Sequence, residues 1–259
     1  MLSVQNVSAG YDETPVLKGV SADVGDGEFV GIIGPNGCGK TTLLRVISGV
    51  LGPTEGAVLL DGRRIADIPQ RELARTLTCL SQDLKLDFPF TVREVAFMGR
   101  TPHLPRIGRE SPRDWEIVRN AMELADIAPL ADRPITEISG GERQRVFIAM
   151  CLAQEPRLLL LDEPTSHLDV GHQLSILRLI RRLNIETGLT VVAVFHDLNL
   201  ASEFCGRLLV MHRGEVEADG PPEEVLTVAM IHKVYGTDVL AERNPVSGRP
   251  HIVVTAESE

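Results

Sequence analysis

The apolar positions of this chain fall into runs and periods that alternate along its length. Val4 and Val7, followed by Gly10-Tyr11, read as a strand entering a turn, and Gly25-Asp26-Gly27 is a tight turn before the apolar run Phe29-Val30-Gly31-Ile32-Ile33. That buried strand runs straight into Gly34. Thr42 to Ile47 then shows helical spacing, and Gly56 to Gly62 reads as a strand closed by a turn. From about residue 84 to 154 the texture changes: Pro89, Pro102, Pro105 and Pro112 break the chain, and Trp115 to Ala125 follows with helical periodicity and a charged face. This stretch reads as a helical insertion. Continuous apolar runs return at Leu158 to Asp162 and at Thr190 to Phe195, as parallel strands covered on both faces require, with an amphipathic helix from Leu174 to Leu183 between them. Strand, helix, strand predicts a parallel α/β core. Beyond Gly220 the tail is mixed, and no chemistry attaches to it at this level.

Composition narrows the classes. With 259 residues, 43% of them hydrophobic and 24% charged, the chain can bury a full core. A formal net charge of −10 repels a polyphosphate backbone and argues against general nucleic-acid binding. Cys38, Cys79, Cys151 and Cys205 lie far apart with no paired spacing, which suggests neither a zinc site nor a disulfide framework and fits a reducing compartment. The start, MLSVQNVSAGYDETPVL, offers neither the basic segment nor the apolar run of a signal peptide, and no stretch approaches 18 uncharged apolar residues. Work at a membrane would need another chain to span it.

Three stretches carry chemistry. Gly34-Pro35-Asn36-Gly37-Cys38-Gly39-Lys40-Thr41 matches G-x-x-x-x-G-K-[ST], the loop whose backbone N–H groups wrap phosphates while the next helix points its N-terminus at the anion. Lys40 is placed to reach the β- and γ-phosphates and the Thr41 hydroxyl to ligate Mg²⁺. Chance alone gives those four fixed positions in roughly one such chain in a hundred; the preceding strand and following helix supply the context the motif needs. Leu158 to Glu163 ends an apolar strand in two carboxylates. At the carboxyl edge of a parallel sheet, Asp162 suits Mg²⁺ and Glu163 suits a general base for water. Alone, such a pair is usually a solvated helix start. Ser139-Gly140-Gly141-Glu142 is a capping box opening an apolar helix. It is also a second anion site, and since one domain holds one γ-phosphate, it reads as serving a partner's nucleotide.

Together these residues resemble the ABC (ATP-binding cassette) ATPases, whose LSGGQ signature stands here as Ile138 to Glu142, over about residues 2 to 225. Glu142 replaces the more usual glutamine and Cys38 a frequent serine. The resemblance implies an α/β fold with a P-loop ATPase core, a parallel sheet, an N-terminal antiparallel β subdomain and an inserted α-helical subdomain. Residues 1–259 form one domain in this reading, with the helical insertion at about 84–154 and a C-terminal extension at about 226–259. It implies that Tyr11 stacks on adenine, that Gln82 is the Q-loop glutamine and a further Mg²⁺ ligand, that Ser166-His167-Leu168-Asp169 is the D-loop, and that His196 is the switch histidine. Catalysis then rests on Glu163, His196, Lys40 and Gln82. The nucleotide is held by Tyr11, by Gly34, Pro35, Asn36, Gly37, Cys38, Gly39, Lys40, Thr41 and Thr42, and across a head-to-tail dimer by Ser139, Gly140, Gly141, Glu142 and Asp169.

Further stretches resemble the branch that imports ferric siderophores, haem and cobalamin: Thr91 to Val95 through Gly99 to Leu104, Ser166 to Gln173, His196 to Ala201, and Val234-Tyr235-Gly236 to Pro250. The implied setting is the cytoplasmic face of a membrane, with ATP and Mg²⁺, permease subunits, a second copy of the chain and, indirectly, a substrate-binding protein. An exporter subunit, a non-transport ATPase and an ATP-sensing module without turnover are the alternatives. The chain carries no long coiled coil or second cassette for the non-transport class, and has both Glu163 and His196, which a mere sensor would lack. The apolar Phe88-Pro89-Phe90 segment reads as packing or as a docking surface for a membrane partner.

Overall fold

The structure, a computed structural model, describes residues 1–254 apart from Glu13, Asp83, Lys85, Asp87 and Arg106 to Gly108. In chain order the strands and helices are β1 (Leu2–Tyr11), β2 (Thr14–Val24), β3 (Phe29–Ile33), α1 (Lys40–Ile47), β4 (Glu55–Leu60), β5 (Arg63–Arg64), α2 (Gln70–Leu73), β6 (Leu77–Leu80), α3 (Val92–Met98) and α4 (Pro112–Leu124). There follow α5 (Gly140–Ala153), β7 (Leu158–Asp162), α6 (Val170–Thr187), β8 (Thr190–Val194), α7 (Leu198–Phe204), β9 (Arg207–His212), β10 (Glu215–Gly220), α8 (Pro222–Val225), α9 (Val228–Tyr235), β11 (Val239–Arg243) and β12 (Pro250–Val254). The chain divides into two compact units, Met1–Ile68 with Thr190–Glu259, and Pro69–Leu189.

The first unit holds an antiparallel sheet in the order β2-β1-β4-β5 and a mixed sheet in which β3 lies parallel between β8 and β9, with β10 antiparallel to β9. Every residue of β3 and β8 is buried, as their unbroken apolar sequences require. β1, in contrast, alternates buried and open positions from Leu2, showing one face to the core. Strand β3 delivers the chain to Gly34, and α1 follows with Leu43, Leu44, Val46 and Ile47 buried.

The described part of the tail, to Val254, forms regular elements. Thr227 caps α9, Gly236 ends it in the left-handed conformation at φ 68°, and β11 pairs with β12 from Val239↔Val254 to Arg243↔Pro250. Its turn closes through Asn244 N–H to Arg249 O at 2.8 Å and Gly248 N–H to Asn244 O at 2.8 Å.

The second unit pairs β6 with β7 in parallel and packs α3, α4 and α5 on one another. α4 starts with Ser111 as its cap and a proline at the first position, the pattern that pre-sets helical φ where no N–H is needed. In α5 the consecutive residues Val146, Phe147, Ile148 and Ala149 are all buried, because this helix contacts α3, α4, α6 and β6 on different sides. A helix enclosed in this way loses its clean apolar stripe. Burial of each of Val146, Phe147 and Ile148 contributes roughly 1.5–3 kcal/mol. α6 begins four residues before the expected Leu174, because Asp169 caps it by accepting from His172 N–H at 2.9 Å. Among the described residues no helix is long and apolar enough to cross a membrane.

Candidate functional site

In the first unit the site begins where β3 stops. Gly34 has φ 149°, and a Cβ there would lie 2.2 Å from Met211 O, so no side chain fits. The loop doubles back over Lys40, whose buried ammonium donates to Gly34 O at 2.7 Å and Pro35 O at 3.0 Å. Cys38 N–H donates to Pro35 O at 3.3 Å, and Gly214 N–H to Cys38 O at 3.1 Å. The Cys38 thiol is buried, and that burial pushes its pKa up against the opposing charge of Lys40, leaving a poor nucleophile.

α1 opens at Gly39 with no capping side chain and no acidic residue in its first turn. Helices α3, α4, α5, α6, α7 and α9 all have a side-chain cap, from Thr91, Ser111, Ser139, Asp169, Asp197 and Thr227. A helix start with neither a side-chain cap nor an acid in its first turn, beside a lysine, suits an anion. Pro35 is half-buried, Asn36 and Gly37 are exposed at the rim, and Thr42 is buried on α1 beneath the half-buried Thr41.

His196 and Tyr11 belong to the same unit. The register pairs Ile32 with Val194, so Gly34 and His196 each lie two residues past the last pair, at the carboxyl ends of adjacent parallel strands. Neighbouring strands are about 4.8 Å apart, which puts the exposed His196 at the same sheet edge as the phosphate loop. Tyr11, 39% exposed, accepts a hydrogen bond on its hydroxyl from Arg45 Nη1 at 2.8 Å, with the guanidinium 5.7 Å from the ring centroid. Arg45 thus ties an open aromatic face to α1. Sequence reasoning missed that link, which joins residues 34 positions apart.

The second unit gathers the acidic candidates in the same manner. Leu80 pairs with Leu161, which sets Gln82 and Glu163 two residues beyond the pairing at one strand edge. Asp162 is 6% exposed at the end of β7. Glu163 has φ 52°, a left-handed backbone costing a non-glycine residue about 1 kcal/mol or more, and Ser166 Oγ donates to its Oε2 at 2.9 Å. The left-handed backbone and the Ser166 hydrogen bond together fix where the Glu163 carboxylate sits at the strand edge. Gln82 is exposed in the turn after β6.

The Ser139 segment is closed on itself. Glu142 Oε2 accepts from Ser139 N–H at 2.8 Å and from Ser139 Oγ at 2.8 Å, while Glu142 N–H donates to Ser139 Oγ at 3.3 Å. The Ser139 N–H, then its hydroxyl, hold the Glu142 carboxyl below the ordinary carboxylate range. Gly140 is exposed and Gly141 buried, and a Cβ on Gly141 would lie 2.0 Å from Cδ2 of His172. His172 Nδ1 in turn donates to Asp169 Oδ2 at 2.7 Å, and the His172 backbone N–H and ring together lower the Asp169 pKa. Sequence reasoning missed the pairing of this exposed ring with Asp169. The i, i+3 spacing of Asp169 and His172 at a helix start was the available signal.

Known proteins are similar to this chain in sequence and fold. The family model described as ABC transporter matches residues 17–166. The chain is similar to the ferric enterobactin transport ATP-binding protein FepC of Escherichia coli, 41% identical over 249 residues covering 96% of this chain and 92% of that one. It is similar also to the hemin import ATP-binding protein HmuV of Pseudomonas aeruginosa, 44% identical and covering 98% and 99%. Among solved structures, a dimeric ATP-binding cassette in a post-hydrolysis state bound to ADP and Pi superposes with a TM-score of 0.74 at 33% identity, over 85% of this chain and 98% of that one.

Proposed function

The chain belongs to the ABC transporter family, and from that premise we propose that it is the ATP-hydrolysing subunit of an importer for a metal chelate, a ferric siderophore foremost. ATP hydrolysis comes with the family. The importer reading rests on likeness to the enterobactin and hemin proteins, and the hemin relative, at 44% identity, keeps haem as the second cargo. The observation that carries the nucleotide chemistry is the uncapped start of α1 beside the buried Lys40. It is the best place in the described chain for a polyphosphate.

In this reading residues 1–259 act as one ATPase domain, with its helical insertion at about 84–154 and its C-terminal extension at about 226–259. Tyr11 stacks on adenine, and the Gly34 to Thr42 segment holds the phosphates. Thr41, Gln82 and Asp162 offer an alcohol, an amide and a carboxylate, a hard oxygen donor set that fits Mg²⁺. Mg²⁺ when bound neutralises charge on the phosphate oxygens. Lys40 places its ammonium on the β- and γ-phosphates, and its charge counters what develops as the γ-phosphoryl leaves. Glu163 orients water in line with that group and takes up its proton, while His196 contacts a γ-phosphate oxygen. The Ser139 segment and Asp169 meet the nucleotide of a second copy. Permease subunits receive the resulting closure, with the chain peripheral on the cytoplasmic face of a membrane and a substrate-binding protein across it. The exposed Phe88 is read as part of that docking surface.

Two experiments test this. In Glu163→Gln, hydrolysis falls at least a hundredfold and ATP accumulates a dimer in gel filtration; a variant that stays monomeric with full turnover sinks the assignment of Glu163. Cells lacking the gene are then given labelled ferric siderophore, haemin or cobalamin. Loss of one cargo, restored by the wild-type chain but not by Lys40→Ala, establishes the importer and names its substrate. Unchanged uptake of all three removes the metal-chelate reading and leaves the ATPase.

A further inference from the structure

Residues 228–254 take no part in the nucleotide chemistry above, yet they are bonded to the helix that follows His196. β8 ends at Val194 and α7 starts at Leu198, so His196 is fixed on one side by a sheet and on the other by a helix of only 7 residues. A helix of two turns does not hold itself in place. Asp197 caps it, accepting from Asn199 N–H at 2.8 Å and Leu200 N–H at 3.0 Å.

The hairpin β11–β12 supplies the rest. Asn199 Nδ2 donates to Ile252 O at 3.1 Å while Ile252 N–H donates to Asn199 Oδ1 at 2.7 Å, so the side-chain amide pairs with β12 as a strand backbone would. One turn on, Ser202 Oγ donates to Pro250 O at 2.7 Å. Glu203 Oε1 accepts from Asn244 Nδ2 at 2.9 Å and from Ser247 Oγ at 2.6 Å. At the far end Arg249 Nη1 donates to Cys205 O at 2.6 Å and to Ser202 O, satisfying carbonyls that the helix leaves open and countering its dipole.

We propose that the β11–β12 hairpin is a brace that sets the position of His196 through α7, which makes Asn199 and Arg249 positioning residues for ATP hydrolysis. The proposal rests on the reading of His196 as the residue that meets the γ-phosphate. The same segment also approaches the phosphate loop: the half-buried phenol of Tyr235 has its pKa raised by burial and by the neighbouring Cys38 thiol. A tail joined to both catalytic segments of its unit affects turnover more than nucleotide affinity, because a shift of a fraction of an ångström at His196 costs rate while the loop still binds.

The test is steady-state ATP hydrolysis by the full chain as wild type, Arg249→Ala, His196→Ala and the double variant. Arg249→Ala is expected to lower kcat about five- to tenfold with KM for ATP moved less than about twofold. In the His196→Ala background the same change is expected to move kcat less than about twofold, since the group it positions is gone. Arg249→Lys, which keeps a cationic donor, restores part of the loss. Should Arg249→Ala fail to fold, Asn244→Ala removes the tie to Glu203 together with the acceptor of the Val246 and Ser247 N–H groups in the turn, and is expected to show a smaller loss, about two- to threefold, with the same dependence on His196. An equal fall of kcat in both backgrounds, no fall at all, or kcat and KM falling together with thermal stability overturns the brace. Wild-type turnover in His196→Ala alone overturns the role of His196, a distinct outcome that removes the brace with it.

Discussion

Helices α1 and α5 both have glycine at their start and both are candidates to face phosphate, but they would meet an anion in opposite states. α1 leaves its first turn uncapped and acid-free, with the Lys40 ammonium folded back on the Gly34 and Pro35 carbonyls. α5 has a complete capping box, and the carboxylate of Glu142 already occupies the Ser139 N–H and hydroxyl. Thr91 with Glu94 and Ser111 with Asp114 make the same box on α3 and α4, two helices with no proposed nucleotide contact. The geometry at Ser139 is therefore an ordinary cap that can be opened, whereas that at Gly39 is a site from the start. At α1 a phosphate would meet no capping side chain and no carboxylate and would draw Lys40 from the Gly34 and Pro35 carbonyls; at α5 it would have to replace a carboxylate the chain supplies itself. Under the proposed function this difference gives the two termini an order, in which α1 would take the nucleotide and α5 would engage when a second copy presents it.

The sharpest way to break the comparison is to remove what makes α1 a receptor. Lys40→Ala deletes the one buried cation of the phosphate loop in a chain of net charge −10. Turnover is expected to fall by at least about two orders of magnitude, the scale of losing a preorganised charge on a developing oxyanion, and ATP binding by fluorescence or calorimetry to weaken about tenfold or more. Wild-type affinity in this variant would show that the bare helix start suffices without the ammonium.

That order was only partly legible in the residues. The Gly34 to Thr41 loop and the Asp162-Glu163 pair were readable because their meaning is local: a buried apolar run ends, and the next few residues carry the chemistry. The capping box at Ser139 was legible for the same reason. What the pattern hid depends on chain segments far apart. Gly141 is closed in by the ring of His172, Tyr11 is bound by Arg45, and β12 is paired by the side chain of Asn199 across 53 residues. The tail seemed featureless because its hairpin takes its order from α7, and a short exposed pair of strands has no strong period of its own. α5 likewise shows no clean stripe, since contacts on several sides bury successive residues.

Ser139→Ala tests the second terminus at intermediate size. It removes the cap of α5 and costs about 1 kcal/mol of stability, a fall of roughly 2–4 °C in the thermal midpoint. ATP binding to the isolated chain is expected to stay at the wild-type level because α1 is untouched. Turnover falls about tenfold, and more at low protein concentration, where dimers are scarce. A loss of ATP affinity equal to that of Lys40→Ala would mean that the two termini act in one chain and not in sequence across two.

The smallest effect isolates the charge at α5. Glu142→Gln keeps an acceptor for the Ser139 N–H and removes the carboxylate, so the thermal midpoint at pH 7 is expected to drop by only about a degree. The pH dependence is the distinguishing readout. The Glu142 carboxyl titrates lower in the folded chain than in the unfolded one, because the Ser139 N–H and hydroxyl favour its ionised form. Its stabilisation is therefore fully present above the unfolded value of about 4.3 and is lost as pH falls through the lower, folded value. The gap between wild type and Glu142→Gln should be constant from pH 7 to about 5 and close below about 4.3. Asp169, Glu94 and Asp114 are shifted in the same direction and remain in both proteins, so they cancel in the difference. At pH 7 the variant is also expected to dimerise with ATP a few-fold more readily, and most clearly at low salt, since no carboxylate has to yield to the phosphate. A gap that persists unchanged to pH 3, with dimerisation unaltered, would leave Glu142 as a cap with no part in the order in which the two helices engage ATP.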